Sequence, residues 1–137
     1  MQFPEALTIA ETVVEIIPRY NETDKGGIVH NSVYAIYWEI GRTELLRING
    51  VAYSDLEEAG IFFVVAELGV KFRRPIHYDE KCLLKVRTTQ TTAAKIKHEY
   101  IMTRSADGII VAEGFTTIAC VDGAGKIRRV PEFMYPS

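Results

Sequence analysis

No apolar run in this sequence approaches the ~18–20 residues that a membrane-spanning helix needs. The first stretch, MQFPEALTIAETVVEIIP, lacks a basic start followed by a continuous apolar segment, so a signal peptide is not expected. Cysteine is scarce, with only Cys82 and Cys120. Neither belongs to a CxxC pair or a His/Cys cluster, which argues against zinc-binding and redox motifs. Both fall in apolar-rich, strand-like runs and are expected to be buried, reduced thiols. A dominant charge sign is missing too. Sixteen Lys and Arg stand against 18 Asp and Glu, a net charge of −2. That balance argues against a general nucleic-acid or anionic-membrane binder.

What remains is a chain of 137 residues, 47% of them hydrophobic, without repeats or low-complexity tracts. One domain over 1–137 with a single core is expected, soluble and cytoplasmic. Thr8 to Ile17 is β-branched, loosely alternating and ended by Pro18, which predicts a first strand. Asn31 or Ser32 reads as an N-cap and Gly50 as a helix stop, giving about five helical turns between them. Val33, Tyr34, Ile36, Tyr37, Trp38 and Ile40 cover more than one stripe of that helix, so other elements should enclose it. Ser54-Asp55-Leu56-Glu57 reads as a capping box opening a short second helix that stops at Gly60.

Beyond Gly60 the pattern is β. Ile61 to Ile76 is one long apolar-rich run. Glu80 to Thr92 alternates, with Cys82, Leu84 and Val86 on one face. Lys95 to Arg104 alternates with Ile96, His98, Tyr100 and Met102 on one face, and Asp107-Gly108 signals a hairpin into Ile109 to Val121. A last helical turn is expected at Pro131 to Met134. One strand, a long helix, a short helix and then four strands predict an α+β fold. A five-stranded antiparallel β-sheet wrapped around one long central helix is the hot-dog arrangement, and its free edges invite pairing with a second copy.

The stretch from Asn21 to Gly50 carries the chemistry. It places Asp24 beside Gly26-Gly27 and then opens the long helix. A carboxylate next to the backbone N–H groups and positive dipole end of a helix N-terminus suits acyl transfer, because those donors can hold a developing oxyanion. Asp near Gly-Gly is also a common loop cap. His30 reads either as a substrate or Asp24 partner or as a structural residue at a helix start, and Asn31 as an amide donor or a plain cap. Tyr34, Tyr37 and Trp38 read as core or as an acyl pocket. Glu39 and Glu44 are candidate second carboxylates, more naturally a solvated or dimer-contact face. His77 and His98 have no partner motif and read as structural.

The segment RYNETDKGGIVHNSVYAIYWEIGRTELLRINGVAYSDLEEAGI resembles the 4-hydroxybenzoyl-CoA thioesterase family of hot-dog acyl-CoA thioesterases. Thr23-Asp24-Lys25-Gly26-Gly27-Ile28-Val29-His30-Asn31 matches the family's acidic loop, with Tyr34 in the expected place. The likeness continues through Trp38-Glu39, Arg42-Thr43-Glu44, Phe72-Arg73-Arg74-Pro75, Tyr78-Asp79-Glu80, Val121-Asp122 and Arg129-Val130-Pro131-Glu132. One departure stands out: many relatives carry Tyr-His or His-His where this chain has His30-Asn31, and Val33 replaces the usual Asn.

The resemblance implies hydrolysis of a thioester to coenzyme A, or less often to acyl carrier protein, at the interface of a homodimer or homotetramer. The catalytic carboxylate maps onto Asp24 and the carbonyl-polarising amide onto Asn31, with His30 and Ser32 adjacent. Gly26, Gly27, Ser32 and Tyr34 are the candidates for substrate contact. Arg73 and Arg74 are the first candidates for the coenzyme A phosphates, with Lys95, Lys97 and Arg104 behind them. Coenzyme A enters as part of the substrate; no metal or other cofactor is implied. Two rival readings are a hot-dog dehydratase, whose His/Glu or Asp/His set is absent, and a non-catalytic acyl-thioester-binding module.

Overall fold

In the computed structural model, which describes residues 3–135, five strands form one antiparallel sheet and a long helix packs against it. Strand β1 (Glu11–Ile16) leads through a 3-10 turn (Tyr20–Glu22) and a second one (Asn31–Val33) into α1 (Tyr34–Ile48). A short α2 (Tyr53–Glu58) follows, then β2 (Phe62–Phe72), β3 (Cys82–Thr91), β4 (Lys95–Arg104) and β5 (Ile110–Val121), with a last 3-10 turn at Glu132–Met134. The sheet order is β1-β3-β4-β5-β2, so β1 and β2 are its edges. The α+β hot-dog arrangement expected from the sequence is the one observed.

The strand alternation is realised residue for residue. Cys82, Leu84 and Val86 of β3 and Ile96, His98, Tyr100 and Met102 of β4 are buried beneath the helix. Trp38 is fully buried and lies flat on Tyr100, ring centroids 4.7 Å apart and planes 3° from parallel. Such a pair adds about 0.5–1.5 kcal/mol beyond its area burial. Tyr100 in turn shares a 2.6 Å hydrogen bond with the buried Thr116 hydroxyl. The helix comes close to the sheet at Gly41, where a Cβ would stand 2.9 Å from Leu84.

The helix boundaries differ from the sequence expectation in informative ways. The N-cap is His30, whose imidazole accepts from the Ser32 N–H at 3.2 Å, and not Asn31 or Ser32. A 3-10 turn then precedes α1, whose own N-cap position is Val33 without a side-chain cap. At the far end, Gly50 takes φ +86° and closes the helix as expected, its N–H donating to the Arg47 carbonyl at 2.9 Å. Helix α2 starts after Ala52, with no side-chain cap, so the Ser54 capping box does not form.

The first strand is shorter than the run from Thr8 suggested, because Asn49 captures the preceding backbone. Its Oδ1 accepts from the Thr8 and Ile9 N–H groups and its Nδ2 donates to the Ile9 carbonyl. The long run from Ile61 likewise stops as a strand at Phe72. There β5 bulges at Val111, whose carbonyl accepts both the Arg73 N–H (2.8 Å) and the Arg74 N–H (3.1 Å). Both cysteines are buried and free. Among the described residues no helix is long and apolar enough to cross a membrane.

Candidate active site

The Asp24 loop is a small hairpin built around its own carboxylate. The Asp24 N–H donates to the Ile28 carbonyl at 2.8 Å and the Gly27 N–H donates to the Asp24 carbonyl at 3.0 Å. Asp24 Oδ1 accepts from the Gly26 N–H at 2.9 Å and from the Ile28 N–H at 3.2 Å. Gly27 takes φ +76°, a conformation that disfavours any residue with a Cβ. One carboxylate oxygen is therefore fixed by two amides. Among the described residues, Oδ2 receives no hydrogen bond, and the side chain is exposed.

This loop is anchored on both flanks. Val29 N–H donates to the Ile76 carbonyl at 2.9 Å, and Tyr78 N–H donates to the Gly27 carbonyl at 3.1 Å. On the other flank, Glu22 makes three connections. Its Oε1 accepts from the Arg19 N–H at 2.8 Å and from the Tyr37 hydroxyl at 2.9 Å. Its carbonyl accepts from the His30 N–H at 2.9 Å. Sequence reasoning did not single out Glu22. Its only local signal is its place two residues before Asp24, and its partner Tyr37 lies a helical turn inside α1.

His30 and Ser32 are exposed and bonded to each other, Nδ1 to Oγ at 2.8 Å. No hydrogen bond joins His30 to Asp24 among the described residues. The Asn31 N–H starts the 3-10 turn and donates to no protein acceptor among the described residues, as expected of a helix-start amide. Its neighbours are committed, Ser32 N–H to the His30 ring and Val33 N–H to the His30 carbonyl. Tyr34 is buried, edge-on to Phe72 at 5.0 Å, and belongs to the core beneath the loop. Burial, and then the nearby Cys82, push its hydroxyl up to about 12.

The basic candidates are scattered. Arg73 pairs with Glu113 at 3.0 Å, while Arg74 donates back to the Arg73 carbonyl at 2.9 Å. Both are exposed at the end of β2 and lead into the Ile76–Tyr78 segment that braces the Asp24 loop. Arg104 is held by Glu80 and Asp107, and Lys97 lies 5.2 Å over the Phe115 ring. Lys95 opens β4. Glu44 pairs with Arg47, and Glu39 is exposed on α1. His77 approaches Glu80 at 4.0 Å. Among the described residues no group of His, Cys, Asp and Glu is arranged to hold a metal ion.

A long helix packed on a five-stranded antiparallel sheet, with an acidic loop leading into the helix, defines a hot-dog protein. Residues 18–136 match the thioesterase-like superfamily, and the chain belongs to it. Bacillus subtilis YneP, assigned as an acyl-CoA thioesterase, is 32% identical over 108 residues, 79% of this chain and 78% of that one. The Arabidopsis thaliana chloroplastic acyl-acyl carrier protein thioesterase ATL3 is 32% identical over 118 residues, 86% of this chain and 62% of that one. The crystal structure of the hypothetical Thermus thermophilus protein TT1821 superposes with a TM-score of 0.82 at 38% identity, covering 88% of this chain and 91% of that one. The family is one of thioester hydrolases.

Proposed function

We propose that the protein hydrolyses acyl-CoA thioesters with Asp24 as the catalytic carboxylate. The observation that carries this reading is the division of labour within the Asp24 loop. Oδ1 is held by the Gly26 and Ile28 amides, and among the described residues Oδ2 has no protein partner and the Asn31 N–H a few residues on is an uncommitted donor. A fixed carboxylate with one open oxygen suits attack, and an unpaired amide at a helix start suits a developing oxyanion. Oδ2 either adds to the thioester carbonyl, giving a mixed anhydride that water opens, or takes a proton from the water that adds in its place. In both routes the C–S bond breaks, the sulfur leaves as the thiol of coenzyme A and the acyl group leaves as a free acid.

Gly26 and Gly27 let the thioester approach the loop backbone, Ser32 and His30 border the amide donors, and Tyr34 backs the loop from the core. Arg73 and Arg74 are the residues best placed by chain connectivity to meet phosphates at the mouth. The relationship to ATL3 favours one second reading, an acyl-acyl carrier protein substrate, which presents the same kind of thioester.

The functional unit in this reading is a homodimer. Strand β2 is a sheet edge with β5 as its one strand neighbour, and it exposes Val64, Val65, Leu68 and Phe72. Pairing that edge with a second copy covers these side chains.

Thiol release from short, long and aromatic acyl-CoAs, by wild type and Asp24→Asn, tests the proposal. Release by the wild type that falls about 10²–10⁴-fold in the variant is the expected result. A folded Asp24→Asn protein with near-full activity sinks the mechanism. Binding without any thiol release, from coenzyme A or carrier protein alike, would leave an acyl-binding module in place of an enzyme.

A further inference from the structure

The segment from Pro75 to Glu80 joins the sheet to the Asp24 loop. Towards the loop, Ile28 and His77 form an antiparallel bridge, flanked by the Val29 N–H donating to the Ile76 carbonyl at 2.9 Å and the Tyr78 N–H donating to the Gly27 carbonyl at 3.1 Å. Ile76 is fully buried and sinks the middle of the segment into the core. The turn that follows is strained. Asp79 alone among the described non-glycine residues takes a positive φ, +65°, and its N–H donates to the Pro18 carbonyl at 3.0 Å. Strain of this kind persists only where the surrounding structure over-determines the backbone.

Arg104, the last residue of β4, supplies that constraint. Its Nη2 donates to the Pro75 carbonyl at 3.3 Å and its Nε lies 3.4 Å from Glu80 Oε1, so one guanidinium grips both ends of the segment. Its Nη1 donates to Asp107 Oδ2 at 3.0 Å, which fixes the group to the hairpin between β4 and β5. That hairpin is tied down in turn, since the Ser105 N–H donates to the Lys81 carbonyl at 3.0 Å. Glu80 closes the turn on itself. Its N–H donates to the His77 carbonyl at 3.1 Å and its Oε1 accepts from the His77 N–H at 3.3 Å. A planar guanidinium, with donors in fixed directions, can serve three acceptors at once where an ammonium cannot hold the same fork. The Arg104 side chain is only 20% exposed and its Nε is closed to solvent, so it faces the fold and not a phosphate arriving from outside.

We propose that Arg104 is a positioning residue for hydrolysis: by gripping residues 75–80 at both ends it holds the Gly27–Val29 backbone, and with it Asp24, in place against the helix start. The inference rests on the reading of Asp24 as the catalytic carboxylate. Arg104→Met removes the grip, and Glu80→Ala, which cuts only one end of it, carries the test should Arg104→Met fail to fold. Amide hydrogen exchange at Val29 and Tyr78 is read by NMR against the central amides of β3, because a merely global loss of stability would speed all of them alike. Exchange at Val29 and Tyr78 is expected to rise at least about tenfold relative to β3 in Arg104→Met, and by less in Glu80→Ala. Thiol release is measured with one acyl-CoA and with the pantetheine thioester of the same acyl group, which lacks the nucleotide phosphates. On both substrates kcat is expected to fall about 10–100-fold while KM stays within about twofold, the pattern of a displaced catalytic group. A rise in KM confined to the acyl-CoA would make Arg104 a phosphate contact and overturn the proposal. Unchanged relative exchange overturns it as well, as does faster exchange with undiminished kcat where Asp24→Asn is inactive. Failure of the Asp24 reading shows separately, as an active Asp24→Asn protein, and the exchange result then upholds or overturns the Arg104 grip without it.

Discussion

The Tyr37 hydroxyl donates to Glu22 Oε1 at 2.9 Å, which ties the long helix to the turn that opens the Asp24 loop. Burial first, and then this hydrogen bond to Glu22, raise the Tyr37 hydroxyl far above its ordinary value, so it remains a donor through the alkaline range. The Tyr37→Phe variant should lose about 1.5–3 kcal/mol of unfolding free energy, the range for a hydrogen bond to a charged partner. Urea denaturation measures the loss. Thiol release should fall much less than in Asp24→Asn, since the Arg19 N–H still holds Glu22.

Asp24 has a structural task separable from its chemical one. The Asn side chain keeps a carbonyl oxygen for the Gly26 and Ile28 amides, whereas Ala leaves both without their acceptor. Asp24→Asn should therefore unfold at the wild-type midpoint, and Asp24→Ala should be less stable by about 1 kcal/mol. Equal stability of the two variants would show that these amides do not depend on the carboxylate.

Gly114 is where β5 passes β2 and the helix at closest range. A Cβ there would overlap the Gly69 carbonyl oxygen and stand 3.0 Å from the Trp38 indole nitrogen, which itself donates to that carbonyl at 3.2 Å. Both obstacles are in packed structure and neither can swing away. Gly114→Ala should cost about 3 kcal/mol or more, or give no soluble protein. A melting temperature within a degree or two of wild type would refute this account of the contact.

His98 makes stability fall on acidification. Burial, and then the Arg42 charge, lower its pKa from the ordinary 6.5 to about 4. The unfolded chain therefore binds a proton that the folded chain refuses between those two values, and stability contributed by the neutral ring is lost as pH drops below 6.5 towards 4. Between pH 7 and pH 5 this group accounts for about 2 kcal/mol. Denaturation of wild type and His98→Leu at the two pH values isolates it, with the smaller pH difference expected in the variant.

The β2 edge predicts assembly. Val64 is 49% exposed on a strand whose second edge is unpaired. Val64→Lys should shift light-scattering mass from dimer towards monomer, and activity should fall in step if the site needs both copies. A wild type that is monomeric at all concentrations would remove the dimer from the proposal.

Local chemistry wrote the parts of this protein that were readable in advance. The burial of Cys82, Leu84 and Val86 and of Ile96, Tyr100 and Met102 follows from the two-residue period of a strand, and the halt at Gly50 follows from the absence of a Cβ. The TDKGG turn was legible for the same reason, because Asp and Gly act on backbone within a few residues. Where competing local caps existed, the sequence alone did not choose. His30 took the position expected for Asn31 or Ser32 because its ring reaches the Ser32 amide.

Other features arise only when distant segments meet. Asn49 shortens the first strand from forty residues away, and the Val111 bulge ends β2 by accepting two amides. Glu22 meets Tyr37, Gly114 meets Gly69, and Arg104 meets Pro75, none of which any periodicity encodes. Sequence pattern specifies which face of an element is buried. What that face is buried against, and which polar atoms meet there, is decided by strand order and packing.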